Sequence, residues 1–147
     1  MNVVIHTDGG ARGNPGPAAI GVVIESCLCK DTRTCVEGKK VQIAGFGKKI
    51  GETTNNTAEY TAVIEALRYI QDHQSILHIE NIVFVLDSTL VVNQLNGVYK
   101  VKEAHLRELM MSVRMLESEI GVNCIYTIVR REQNREADFF VNQALDA

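Results

Sequence analysis

The sequence predicts an α/β domain on a mixed five-stranded sheet, in the order βββαβααβα, with helices on both faces. Three observations lead there. The first third of the chain reads as three extended runs separated by turn chemistry. The periodicity then becomes helical near Asn56. Beyond it, helical and strand-like segments alternate around IVFVL at residues 82–86, a continuous apolar run of the kind a strand covered on both faces requires. A length of 147 residues fits one core, so a single domain over residues 1–147 is expected.

Residues 2–7 are β-branched and apolar and form the first strand; 18–28, containing IGVVIES, form the second. Gly-Asn-Pro-Gly-Pro at 13–17 turns between them. Residues 36–49 are a third extended run interrupted by glycines, and polar residues 30–38 join it to the second as a hairpin. Ala62, Val63, Ala66, Leu67 and Ile70 share one face of the first helix. After the 82–86 strand, residues 88–95 read as a short helix. Leu106, Leu109, Met110, Val113, Leu116 and Ile120 mark a longer amphipathic one. Residues 122–129 are the fifth strand. Ala137, Phe140, Val141, Ala144 and Leu145 define the last helix.

Composition excludes several classes. Hydrophobic residues at 46% and charged residues at 22% are the balance of a soluble globular protein. A net charge of −3 gives no bulk attraction for nucleic acid or membrane, so such a partner must be held by a local patch. No apolar run approaches the ~20 residues that span a bilayer. The N-terminus MNVVIHTDGG lacks the basic-then-apolar pattern of a signal peptide, and the four cysteines are expected as reduced thiols in a cytoplasmic protein. Cys27, Cys29 and Cys35 form a C-x-C-x5-C cluster, but Cys124 is remote and neither a C-x-x-C pair nor a nearby histidine accompanies them. Ordinary thiols in a hairpin are therefore expected over a zinc site.

Four carboxylates occupy awkward positions. Glu59 precedes Ala62, Val63, Ala66, Leu67 and Ile70 by three, four, seven, eight and eleven residues, which puts it on the apolar stripe of its own helix, in the first turn. Asp138 stands likewise toward Val141 and Leu145 at the start of the last helix. Asp8 follows the first strand and Asp87 the fourth, where α/β sheets place ligands. Each has a plain alternative: dipole stabilisation for Glu59, an N-cap for Asp87, a turn for Asp8. Together they form an oxygen-rich cluster that would repel itself without a cation, and that suits a hard divalent ion, Mg2+ or Mn2+.

TDGGARGNPGPAAIG, TTNNTAEYTAVIEAL, LDSTLVVNQLNGVYKVK and REQNREADFFVNQALD resemble, in order and spacing, the successive motifs of the type 1 ribonuclease H family over nearly the whole chain. The resemblance implies the ribonuclease H-like fold and metal-dependent hydrolysis of the RNA strand of RNA–DNA hybrids, leaving 5′-phosphate and 3′-hydroxyl ends. It implies Asp8, Glu59, Asp87 and Asp138 as the catalytic, metal-binding carboxylates, with two ions at the site when substrate is bound. It also implies substrate contacts at Asn14, Asn55 and Asn56, with Thr54 and Gln94 as weaker candidates. Amides at such positions both donate to and accept from a ribose 2′-hydroxyl. Their alternative is turn formation and capping, and for Gln94 a solvated helix face.

Three departures from the family pattern stand out. Better-known members carry a histidine in the loop before the last aspartate; here that loop, residues 129–134, reads VRREQN, and Arg131 or Glu132 takes the place. The tryptophan-containing basic handle of some members is missing: there is no tryptophan, and Lys100, Lys102, His105 and Arg107 offer at most a modest patch. Glu52 precedes TTNN where a basic residue would better serve a phosphate. No separate hybrid-binding domain and no obligatory protein partner is evident. The expected work is removal of primers and hybrid tracts during replication. The rivals are a binding module without catalysis and a nuclease of the same fold acting on double-stranded RNA or DNA junctions.

Overall fold

The computed structural model describes residues 1–147. Strands β1 (Asn2–Ala11), β2 (Gly16–Cys27) and β3 (Lys40–Thr53) form an antiparallel meander. Helix α1 (Asn55–His73) leads to β4 (Asn81–Leu86). Helices α2 (Thr89–Leu95) and α3 (Ala104–Ile120) follow, then β5 (Asn123–Ile128) and helix α4 (Arg135–Asp146). The sheet order is β3-β2-β1-β4-β5, with β4 parallel to both β1 and β5. The predicted order and mixed sheet are therefore present.

The pleat divides the core. Val3, Ile5, Ile82, Phe84 and Leu86 face α1 and α3 and join the main cluster with Tyr60, Val63, Leu67, Ile70, Leu106 and Val113. Val4, Val83 and Val85 point to the other face, where they pack with Cys27 and Cys35. Helix α3 ends where Gly121 takes φ 70°, a left-handed cap that glycine adopts without strain.

Several boundaries differ from the sequence reading, three of them with consequences. β1 runs on through Gly9 and Gly10 because β2 pairs with it as far as Ala11↔Ala18, so Asp8 lies inside the strand, opposite Gly21, and not in a turn after it. β3 begins at Lys40 and not at residue 36. The segment before it holds a short 3-10 turn at Thr32–Thr34 and buries Cys35 instead of forming a simple polar hairpin. Helix α1 starts at Asn55, which moves Glu59 beyond its first turn.

Glycines decide how close the helices come. A Cβ on Gly9 would lie 2.2 Å from the Ala58 carbonyl carbon of α1. On the opposite face, a Cβ on Gly21 would lie 2.0 Å from the Ala137 oxygen, and one on Gly47 2.3 Å from the Phe140 oxygen, both in α4. Those contacts are with backbone, which has no rotamer to yield. Gly21→Ala should therefore cost roughly 2–3 kcal/mol of stability by forcing α4 outward. Gly10→Ala should be nearly neutral, because its added carbon meets only Val141 Cγ1 at 3.5 Å. Urea unfolding of both variants checks the contrast.

Candidate active site

The parallel register builds the centre. The last β1–β4 pair is His6↔Val85, and Asp8 and Asp87 each stand two residues further on, just past the end of the parallel pairing. The sheet's connectivity reverses there, since β1 continues into the meander while β4 leads to helices. Helix α1 brings Glu59 in from one face, and α4 brings Asp138, in its first turn, from the other. Oxygen atoms of Asp8, Glu59 and Asp87 lie within 4.8 Å of one another. All four carboxylates line one open cavity of about 460 Å³ with Arg12, Asn55, Asn56, Ser88, Arg131 and Asn142 on its walls.

The plain alternatives for two of these residues fall away. Asp87 is not the cap of α2: Ser88 takes that role, its Oγ accepting from the Val91 amide at 3.3 Å. Glu59 is not in a frayed, solvated turn, since it is 7% exposed and its Oε2 is buried without a hydrogen-bond partner. A buried carboxylate oxygen without a donor is costly. Asp8 has one donor, the Gly9 amide at 3.0 Å.

The electrostatics follow from burial and like charge. Burial, and then the Asp87 charge, push the Asp8 carboxyl from 3.8 up to about 7. Burial pushes Glu59 well above the usual carboxylate range, with the charges of Asp8 and Asp87 adding to it. Asp87 is also raised by burial, against the opposing charge of Arg131. A divalent cation fits this donor set: the ligands are hard oxygens, one is orphaned, and all would gain from a positive charge. Asp8, Glu59 and Asp87 are placed to hold it, with Asp138 beside them.

The remaining sequence candidates divide. Asn14 Oδ1 accepts from the Asn55 amide at 3.0 Å, and Asn55 Oδ1 accepts from the Ala11 amide at 2.9 Å. These two side chains thus fasten the β1–β2 turn to the start of α1, each keeping its Nδ2 hydrogens. Thr54 caps α1 through the Thr57 amide, which leaves Asn56 free on the cavity wall, half-buried. Arg131 lines the cavity. Four candidates are not on its walls: Asn14 and Thr54, engaged as above, and Gln94 and Glu132. Gln94 is neither at the cavity nor on a solvated face: it is buried, its Oε1 accepting from the Tyr60 hydroxyl at 2.7 Å, because α2 turns that side inward. Glu132 borders a separate depression with His6 and Glu25, because the 3-10 turn Arg131–Gln133 points successive side chains apart.

Sequence reasoning missed three residues at this site. Asn134 is 1% exposed; its Nδ2 donates to the Thr7 carbonyl at 2.9 Å and its Oδ1 lies 3.0 Å from His6 Nδ1. It pins the start of α4 to β1, one residue from Asp8. Asn142 donates to the Asp138 carbonyl and carboxylate at 3.2 and 3.4 Å. Arg12 pairs with Asp146 at 2.6 Å. The i, i+4 spacing from Asp138 to Asn142 was the only signal in the sequence for any of these contacts.

The raised carboxyls set a pH dependence. A carboxyl held above its unfolded value stabilises the fold below the unfolded pKa, and that contribution is lost as pH rises through the folded one. In EDTA, the chain should therefore lose at least about 1 kcal/mol relative to Asp8→Asn between about pH 4 and pH 7.5. Equilibrium unfolding at stepped pH measures the difference, and parallel curves for the two proteins would contradict it.

Comparison with known proteins agrees with this geometry. Residues 6–144 match the family model described as reverse transcriptase-like. A Halobacterium salinarum protein named ribonuclease HI is 37% identical over 141 residues, covering 96% of this chain and 63% of that one. The bifunctional protein Rv2228c of Mycobacterium tuberculosis is 38% identical over 148 residues, which are 36% of its length. The chain thus spans about a third of the mycobacterial relative and under two thirds of the haloarchaeal one. The structure of LC11-RNase H1 in complex with an RNA/DNA hybrid superposes with a TM-score of 0.83 at 41% identity, covering 98% of this chain and 96% of that one. No helix is long and apolar enough to cross a membrane.

Proposed function

The chain belongs to the reverse transcriptase-like family, as a type 1 ribonuclease H, and we propose that it is a metal-dependent endonuclease hydrolysing the RNA strand of RNA–DNA hybrids. The observation that carries this is the convergence of Asp8, Glu59 and Asp87 oxygens within 4.8 Å, with Asp138 on the same cavity. The resemblance of the chain to a protein solved with such a hybrid supports the substrate class. We take residues 1–147 as one catalytic domain, and the four free cysteines as those of a cytoplasmic protein.

In this reading Asp8, Glu59, Asp87 and Asp138 hold Mg2+ or Mn2+, two ions with substrate present. Such ions lower the pKa of bound water and stabilise the leaving 3′ oxygen. The chain's own groups do the rest. Asp8 and Glu59, whose carboxyls burial raises, would meet the ion in ionised form, and the four carboxylates together would fix where the phosphate sits. Asn56, half-buried on the cavity wall, Asn55 beside it and Asn14 bonded to the Asn55 amide would meet a ribose 2′-hydroxyl, where an amide both donates and accepts. Arg131 brings positive charge beside Asp87 and toward phosphate. Products carry 5′-phosphate and 3′-hydroxyl ends.

Strand-labelled hybrid, double-stranded RNA and double-stranded DNA, each with Mg2+ and with Mn2+, test the reading. Only the RNA strand of the hybrid should be cut efficiently. Cleavage of nothing would favour a binding module, and cleavage of DNA a different nuclease. Asp87→Asn should lower hydrolysis at least about 100-fold with an unchanged fold, since Ser88 retains the helix cap. Arg131→Ala should slow turnover by only about two- to fivefold, the worth of one exposed charge contact.

A further inference from the structure

Three cysteines lie in a part of the molecule that hydrolysis does not use. Cys27 ends β2; Cys29 and Cys35 lie on the segment joining it to β3. Their sulfur atoms lie within 4.8 Å of one another, Cys27 and Cys35 buried and Cys29 half-buried. The spacing in the sequence pointed to independent thiols; the fold of the segment brings them together.

The segment is shaped around them. Asp31 caps the 3-10 turn at Thr32–Thr34, which reverses the chain and carries Cys35 back beneath it. The Lys40 ammonium donates to the carbonyls of Cys35, Val36 and Gly38 and closes the loop. Gly38 leaves the space that a sulfur fills: a Cβ there would lie 2.1 Å from Cys29 Sγ. The thiols donate only weakly, to the Cys35, Thr34 and Asp31 carbonyls at 3.8, 3.6 and 3.6 Å, and the Cys27 sulfur accepts from the Cys29 amide at 3.3 Å.

We propose that Cys27, Cys29 and Cys35 form a metal site separate from the carboxylates, taking a soft, closed-shell cation, Zn2+ or Cu+, through three thiolates. Thiolate selects such ions against Mg2+ and Mn2+. Zn–S bonds of about 2.3 Å set sulfurs about 3.8 Å apart, so the cluster contracts by about 1 Å at most. Zn2+ completes a tetrahedron with one water on the half-exposed Cys29 side, whereas Cu+ is satisfied by three sulfurs. On binding, each thiol releases one proton to solvent, and no electron is transferred. The Lys40 ammonium, bonded to the Cys35 carbonyl, offsets the resulting negative charge.

The consequence is structural. Cys27 and Cys35 pack on Val4, Val83 and Val85, so a bound ion staples this segment over the face of the sheet that α4 leaves open. Cys27 pairs with Asn2, six residues along β1 from Asp8, or about 20 Å. The ion therefore has no reach to the cavity.

The test uses the full chain, reduced and handled without oxygen, with saturating Mg2+ present. One equivalent of Co2+, as a spectroscopic probe, should give sulfur-to-cobalt charge transfer and tetrahedral ligand-field bands, which Zn2+ then removes. Zn2+ should also raise the melting temperature. Cys29→Ser should lose both effects, while Asp8→Asn and Cys124→Ser keep them. Should Cys29→Ser fold poorly, alkylation of the unmutated chain decides instead: bound ion should slow reaction of the half-buried Cys29, whereas buried Cys27 and Cys35, and Cys124, whose thiol burial pushes up to about 12, react slowly with or without it. Binding of one equivalent of Cu+ alone, with the same dependence on Cys29, would identify the copper form. Failure of both ions to bind, survival of binding in folded Cys29→Ser, an unshielded Cys29, or loss of binding in Asp8→Asn would overturn the proposal.

Discussion

Everything at the active site depends on two helices resting backbone-to-backbone on a sheet. Gly9 admits α1 on one face; Gly21 and Gly47 admit α4 on the other. Glu59 directly follows the residue that touches Gly9, and Asp138 directly follows the residue that touches Gly21. The glycines thus act as depth stops for the two helical carboxylates, while the parallel β1–β4 register supplies the two strand carboxylates. A side chain at any of these stops would lift a helix by more than the reach a shared ion tolerates.

That arrangement opposes folding. Four acidic groups converge on one cavity, and burial together with like charge raises the carboxyls of Asp8, Glu59 and Asp87 above their ordinary range. Stability withheld here is the condition for cation binding, since a site already neutralised by lysine or arginine would have little affinity for a divalent ion. Arg131 approaches from the open side only, near enough to moderate Asp87 but exposed to solvent.

The surrounding polar residues keep the functional ones free. Ser88 and Thr54 cap α2 and α1, so neither Asp87 nor Asn56 is consumed by a helix end. Asn134, by contrast, gives up capping α4 to bond Thr7 and His6, tying the last helix to the first strand across the chain's full length. Such reassignments are invisible in the sequence, because Ser88 and Asp87 are equally good caps by type, and Asn134 is a favoured cap by type whatever its side chain bonds.

The order of elements and the four carboxylates were legible in the sequence for one reason: their signals are local. A carboxylate at a helical apolar position, or at the end of an apolar strand, conflicts with its immediate neighbours, and the conflict can be read over a dozen residues. What only the tertiary structure decided rests on partners distant in the chain. β1 continues past Asp8 because β2 pairs with it there, and Gln94 is buried because Tyr60 supplies a hydroxyl. Glu132 turns from the cavity that Arg131 enters because a single 3-10 turn separates them. The cysteine cluster forms because Gly38 and Lys40 close a loop whose spacing alone matched no metal motif. Pattern along a chain records which face a residue prefers; which atoms it meets depends on how distant segments pair and pack.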